Sequence, residues 1–329
     1  MKVLVTGGGG FLGAAVVRQL VARGDDVRSL TRGSYPELAT LGVRSFRGDL
    51  SDSGVVRAAV AGCDVVFHVG AKAGIAGSAR EYTATNVDGT HNIIAACRAS
   101  GVRRLVYTST PSVVAVRGGI AGGDESLPYA RRHQSAYPET KAEAEQAVLA
   151  ANGAGLVTVA LRPHLIWGPG DTQLVPRILE RARRGRLRFV GDGDNLVDCT
   201  YIDNAVQAHL LAADRLRPGS RICGRAYFIS QGEPLPIREL VNRILTAAGM
   251  QPVTATIPFP FAYALGGLCE AVFGLVGRGA EPPMTRFLAR QLATTHWFDI
   301  SAARRDLGYQ PVVSISDGLA RLGEHLRRQ

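Results

Sequence analysis

A doubly wound, parallel α/β sheet followed by a smaller mixed α/β lobe is the fold this sequence predicts, on three observations. Short apolar, β-branched runs alternate with segments of helical spacing through the first half of the chain. A glycine-rich turn joins the first such run to the first helical segment. The length, 329 residues, suits one large α/β domain with an appended lobe better than two independent domains. The expected division is a large domain over residues 1–165, with returning segments near 196–230, and a lobe formed mainly by 166–329.

Lys2–Thr6 reads as a fully buried strand and Phe11–Arg23 as a helix, with T-G-x-x-G-x-x-G between them. Gly7, Gly10 and Gly13 hold the fixed positions. They permit a tight turn, bring backbone against a pyrophosphate and let helix pack on strand, while the helix start offers unpaired N–H groups to the anion. Without its flanking strand and helix the motif would be only a flexible turn. In this context it predicts a Rossmann-type dinucleotide site, with Gly7, Gly10, Phe11, Leu12 and Gly13 against the cofactor.

The second strand, Asp26–Thr31, ends in Thr31-Arg32, where NAD sites carry a carboxylate for the ribose 2′-OH. A hydroxyl and a guanidinium suit a 2′-phosphate, so NADP(H) is the expected cofactor; an Arg32 that merely stacks on adenine would leave NAD(H) possible. Val43–Arg47 is a third strand, followed by Gly48-Asp49-Leu50. Asp49, with Leu50 beside it, either accepts the adenine amino group or caps a helix beginning near Ser51. The fourth strand, Asp64–Val69, opens into Gly70-Ala71-Lys72-Ala73-Gly74 at the carboxyl edge of the sheet, where ligands bind. Gly70 and Ala71 are expected against the cofactor; Lys72 either holds an anionic substrate group or points into solvent. A long helix, Glu81–Ser100, carries Asn86.

Arg104–Ser109 is a fifth strand running into Thr110-Pro111-Ser112, and a helix opens at Tyr137-Pro138-Glu139-Thr140-Lys141. A spacing of four stacks Tyr137 and Lys141 on one helical face. An ammonium there stabilises the phenolate and lowers a pKa otherwise near 10, which fits the pair for proton transfer. YxxxK alone is common on ordinary helix surfaces; after the glycine loop and a hydroxyl-rich fifth strand it reads as a catalytic pair.

Leu156–Leu161 is a sixth strand, leading through Arg162-Pro163-His164 into the lobe. A lone histidine such as His164 is more often structural than catalytic. Arginines over Glu180–Arg188 end a helix, as its dipole favours. Asp203 is the candidate N-cap of the helix after Tyr201-Ile202; Ala226–Ser230 is a strand and Pro236–Ala248 a helix. Ile257–Val276 is unusually apolar, but Pro260 and Glu270 argue against a membrane span. It either walls a channel for alkyl chains, rests at a lipid interface or forms an ordinary pair of core helices. Phe298–Leu326 reads as a strand, a helix stopping at Gly308-Tyr309 and a closing helix.

Five scattered cysteines, Cys63, Cys97, Cys199, Cys223 and Cys269, suggest neither a disulfide framework nor a metal site. No secretory leader is evident, so a cytoplasmic protein is expected. The net charge of +10 is almost all arginine, since Lys2, Lys72 and Lys141 are the only lysines. With no zinc-finger spacing, RNP-like strand or basic heptads, nucleic acid is not an expected partner.

TGGGGFLG, GDL, NVDGTHNI, YTSTPSV, YPETK, ALRPHLIWGPGD and YIDNA occur in order along essentially the whole chain. In these the chain resembles the extended short-chain dehydrogenase/reductase superfamily, in its 3β-hydroxysteroid dehydrogenase-like branch. GAKAG, YTSTPSV, LIWGPGD and PPMTRFLARQL further resemble the branch members that reduce long-chain β-keto acids in bacterial olefin and β-lactone biosynthesis. The resemblance implies that Tyr137 is the general acid/base and that Lys141 is its partner and a ribose ligand. Thr110 would bond the reacting oxygen, where serine is more usual and Ser112 is the nearest rival. Asn86 would support the site, and Arg162 and Pro163 would lie beside the nicotinamide. Lys72, Ser112 and His164 are the candidate substrate contacts.

The implied reaction is NADPH-dependent reduction of a 2-alkyl-3-oxoalkanoic acid to the 3-hydroxy acid. Alternatives are an NAD-dependent 3β-hydroxysteroid dehydrogenase, which Thr31-Arg32 weakens, and a nucleotide-sugar epimerase or dehydratase, which the apolar late lobe and Gly70-Ala71-Lys72 weaken. A non-catalytic cofactor binder would not need Tyr137 and Lys141. The resemblance also implies a homodimer and a small hydrophobic carbonyl or hydroxy-acid substrate, with membrane-surface or pathway-enzyme contact as a further possibility.

Overall fold

Strands made of valine and leucine without polar alternation have two faces to bury, and a parallel sheet with helices on both sides does this. The computed structural model describes residues 1–74, 77–114, 118–133, 135–276 and 284–328. Its main sheet contains β1 (Lys2–Thr6), β2 (Asp26–Thr31), β3 (Arg44–Arg47), β4 (Val65–His68), β5 (Arg104–Thr108), β6 (Val157–Pro163) and β7 (Arg225–Ile229). The spatial order is β7-β6-β5-β4-β1-β2-β3, with every pair parallel. The order reverses between β1 and β4, so the crevice at their carboxyl ends is the switch point where ligands of such sheets bind.

The helices used below are α1 (Phe11–Ala22), α2 (Ser53–Val60), α3 (Gly89–Ala99), α4 (Ala136–Ala150), α5 (Leu174–Arg183), α6 (Ile202–Arg215), α7 (Ile237–Ala247), α8 (Phe259–Val276), α9 (Arg286–Ala293) and α10 (Ile315–Arg327). Alternate residues of β1 leave the sheet on opposite faces. Val3 and Val5 pack with α1 and α6, through Leu12, Val16, Leu20, Ala205 and Ala212. Leu4 joins Val56, Ile93, Cys97, Ala144 and Val148 of α2, α3 and α4 on the other side. A π-helical turn, Thr83–Asp88, precedes α3 without a break. The later chain adds a four-stranded sheet that takes in Ile120–Gly123 and His296–Phe298, and a short parallel pair of Phe189–Val190 with Thr256–Ile257.

Several expectations need correction. The helix after β3 starts at Ser53 and is capped by Asp52, which accepts the N–H groups of Gly54 and Val55. Asp49 does not cap it, because its carboxylate is engaged one turn earlier by the N–H and hydroxyl of Ser51. Asp203 caps nothing: Tyr201 holds the N-cap position of α6, and Asp203, in the first turn, pairs with Arg321.

The apolar stretch at 257–276 begins at the end of the strand Thr256–Ile257 and continues as one helix, α8, not a core pair. Its inner face is a narrow line at Ala262, packed with Ala289 and Val190, and Phe261, Leu268 and Val272 remain 63%, 62% and 43% exposed. Among the described residues no helix is long and apolar enough to cross a membrane.

The turn from β1 to α1 allows no side chain at its third glycine. A Cβ on Gly13 would run into the carbonyl of Gly7, which is backbone and cannot rotate away. Gly13→Ala is therefore expected to lower unfolding free energy by about 1–3 kcal/mol, the usual cost of overpacking. Urea denaturation measures this, and a variant as stable as the wild type would contradict the close contact.

Candidate active site

Three elements meet at the head of the sheet. Gly7 takes a left-handed backbone conformation (φ 69°), and its N–H reaches the Leu30 carbonyl at 2.9 Å. A Cβ here would sit 2.7 Å from the Gly70 Cα, so the β1 and β4 loops approach only because both residues are glycine. Helix α1 begins at Gly10 without a side-chain cap, leaving first-turn N–H groups for an anion.

In front of this turn lies a cleft of about 300 Å³. Gly7, Gly10, Phe11, Leu12 and Gly13 line one side, Thr31, Arg32, Asp49 and Leu50 another, with Gly70, Ala71, Tyr137 and Lys141 completing it. The exposed Arg32 stands near Asp49. Burial works to raise the Asp49 carboxyl, but the Ser51 bonds and Arg32 outweigh it and hold the group below the usual carboxylate range. The hydroxyl of Ser109, at the cleft wall, is buried with no protein partner. A Cβ-free cradle, an uncapped helix start and an orphaned hydroxyl fit a dinucleotide, and bound nicotinamide would supply or accept hydride here.

Sequence reading missed Tyr35, Thr85, Thr108 and Ser109 as lining residues. Thr108 and Ser109 carried a usable signal, since they end a parallel strand at the ligand edge. Tyr35 carried none: its ring fills the space beside Gly9 through folding of the 32–35 turn.

Behind the cleft runs a chain of buried polar contacts. The Thr6 hydroxyl accepts the Gly70 N–H at 2.9 Å and meets His68 Nδ1 at 2.8 Å. His68 Nε2 lies 3.0 Å from the Thr90 hydroxyl, which donates to the Asn86 carbonyl at 2.6 Å. The Asn86 side chain accepts the Lys72 N–H at 2.7 Å and donates to the Lys72 carbonyl and the Thr140 hydroxyl, each at 3.0 Å. Asn86 thus clamps the β4 loop to α4 and does not line the cleft. Burial, aided by Lys141, pushes His68 down to about 3, so it is a neutral connector. Lys72 does not point freely into solvent, because its ammonium pairs with Glu81 at 2.8 Å and lies 5.3 Å from the centre of the Tyr82 ring.

Tyr137 and Lys141 sit at the start of α4 with separate partners. The Thr110 hydroxyl acts to lower the Tyr137 phenol, but burial outweighs it and pushes the phenol up to about 12. Thr110 also meets Ser112, hydroxyl to hydroxyl, at 3.0 Å, so the two rival hydroxyls form one pair. Lys141 Nζ donates to the Thr108 carbonyl at 2.6 Å and lies 4.1 Å from the centre of the Tyr107 ring. Burial brings Lys141 down to about 7, with Glu145 pulling the other way. The expected lowering of Tyr137 by Lys141 is therefore absent: the ammonium is turned to the β5 carbonyl, and desolvation dominates the phenol.

Arg162, Pro163 and His164 are not in the cleft wall. Arg162 forms a buried two-point pair with Glu145, at 2.6 and 3.0 Å, and Glu145 also accepts the Tyr129 hydroxyl at 2.6 Å. His164 Nδ1 is bonded to the buried Asp198, and its ring meets Phe298 edge-on. Both contacts tie the ring to residues of the later chain.

Lys141 gives a pH test with a definite sign. Below its folded pKa of about 7 the cation stays buried and its cost is full; between there and 10.5 only the unfolded chain holds the proton, so stability rises with pH. Lys141→Met is expected to raise the melting temperature more at pH 6 than at pH 10. Equal shifts would contradict the buried placement.

Residues 4–261 match the 3-beta hydroxysteroid dehydrogenase/isomerase family. A relative from Stenotrophomonas maltophilia (strain K279a), named 2-alkyl-3-oxoalkanoate reductase, is 59% identical over 98% of each chain. A protein of the same name from Shewanella oneidensis is 49% identical over 97% of this chain and 84% of its own. Among solved structures, MoeE5 in complex with UDP-glucose and NAD superposes with a TM-score of 0.76 at 28% identity, over 100% of this chain and 99% of that one. The glycine cradle, the switch-point cleft and these similarities together make the chain a member of the 3-beta hydroxysteroid dehydrogenase/isomerase family and an NAD(P)-dependent oxidoreductase.

Proposed function

We propose that this enzyme reduces the ketone of a 2-alkyl-3-oxoalkanoic acid with NADPH, and that Tyr137 is the proton donor. The interaction of Tyr137, which lines the cleft, with the neighbouring Thr110 hydroxyl carries the reading, because two such hydroxyls can share one carbonyl oxygen. The name shared by the two relatives supports the substrate class. A phenol with a raised pKa keeps its proton at neutral pH and is in the form a reduction needs. As hydride adds to the carbonyl carbon, Tyr137 gives its proton to the oxygen and Thr110 holds that oxygen by a hydrogen bond. Lys141, which lines the cleft beside Tyr137, is the ribose ligand, its ammonium held in place by the Thr108 carbonyl. Residues 1–165 with 196–230 carry the cofactor, supported by β7 joining the main sheet, and 166–329 mainly the substrate.

The test is turnover of such an acid with purified protein, following NADPH loss and product mass. Tyr137→Phe is expected to lower kcat by about 10²–10⁴-fold with NADPH binding retained. Oxidation of a 3β-hydroxysteroid with NAD, and none of the keto acid reduced, would replace this reading with the steroid one.

Cofactor choice is tested separately at Arg32, the guanidinium offered to a 2′-phosphate. Arg32→Ala is expected to weaken NADPH binding by about tenfold or more, as loss of a ~1.5 kcal/mol hydrogen bond to a charged group implies, and NADH binding much less. Equal weakening of both would remove the preference.

A further inference from the structure

A second cavity, of about 310 Å³, lies in the later part of the chain, and its walls are mostly hydrocarbon. Leu174 and Ile178 of α5, Leu240 and Val241 of α7, and Leu288 and Leu292 of α9 face it. Its volume is at the lower end of the range of small-molecule sites. Arg177 and Arg188, both exposed, border it and can lay apolar stems along it, and the Arg188 head is held back by the carbonyls of Gly185 and Leu187 at 3.0 and 2.8 Å. His296 also borders it, and burial together with His164 pushes this imidazole down to about 4, so the wall it offers is uncharged.

One residue links this cavity to the sheet edge. Leu165 lines it and follows β6 by two residues, beyond the paired ends Thr108 and Leu161 of β5 and β6. Leu165 is also the one non-glycine residue with positive φ (40°) among those described. A leucine keeps such a backbone only where its surroundings over-determine it, and such residues gather at ligand sites. The neighbours do this here: its carbonyl accepts the Thr200 N–H at 3.2 Å, and His164 beside it is anchored on Asp198.

We propose that this cavity takes one long alkyl chain of the substrate, led in past Leu165, and that its depth sets chain-length preference. The inference rests on the keto-acid reading above and adds to it the place of the chain. A saturated hydrocarbon is the ligand these walls suit.

The test compares two 3-oxo acids that differ only in the 2-substituent, ethyl against dodecyl, in wild type, Leu288→Trp and Leu292→Trp. Both α9 positions are half-buried, and Leu187→Trp, also half-buried on this cavity, serves if an α9 variant does not fold. The dodecyl-to-ethyl ratio of kcat/KM is expected to fall about tenfold or more in the filled variants. Displacement of a dansyl fatty acid by dodecanoate is read alongside and should be lost in the same variants. Turnover of both acids with an unchanged ratio overturns the cavity assignment and leaves the ketoreductase reading standing. Probe binding that the tryptophans abolish, with no keto acid reduced by the wild type, upholds the cavity and overturns the reaction instead.

Discussion

Where β1 turns into α1, the backbone of Gly7 is held between Gly13 on one side and Gly70 on the other, at distances no Cβ tolerates. This contact makes the cleft: it draws the head of α1 onto the sheet and brings the β4 loop against the β1 loop. Everything that lines the cofactor crevice is positioned relative to that junction. The close packing also explains why the turn binds with backbone instead of side chains, since there is no room for any.

The junction is supported from behind by side chains that never reach the cleft. The sequence Thr6, His68, Thr90, Asn86, Thr140 runs from β1 through β4 and the π-helical turn to α4, with hydrogen bonds at each step. A buried polar chain with its members paired fixes one geometry, whereas a partly paired one would be costly. The π-helical turn is part of this device: its extra residue per turn occurs just where Asn86 must face the Lys72 backbone, and such turns gather at functional sites. Tyr137 and Lys141 are therefore held by the same frame as the glycine loop, through Thr140 between them.

What was legible in the sequence was whatever depends on local spacing. The glycine turn, the strands and the Tyr137/Lys141 pair are each set by residues within a few positions of one another, so pattern and chemistry were visible together. Caps were less legible, because Asp49 and Asp52 are both plausible before the same helix and only the turn made by Ser51 separates them. Long-range partners were not legible at all. Glu145 pairs with Arg162 across α4 and β6, and Asn204 of the YIDNA segment bonds Gln231 and the backbone of Val312 and Val313 near the end of the chain. Nothing near either residue in sequence announces its partner.

The late apolar stretch shows the same limit from the side of composition. Its residues suited a wall for alkyl chains, a lipid interface or a pair of core helices alike, and the apolar cavity of the later chain is lined by none of the described residues of α8. The reason lies in Gly266, against which the backbone at Thr285 and Arg286 closes so tightly that a Cβ would overlap it. The Glu270–Arg286 pair then fixes α9 across α8. Helix α9, only eight residues long, thereby turns Leu288 and Leu292 toward α5 and α7 and covers little of the longer helix. Apolar content alone does not say which surface a helix presents, because facing is decided by which helix can approach which, and here one glycine decides that.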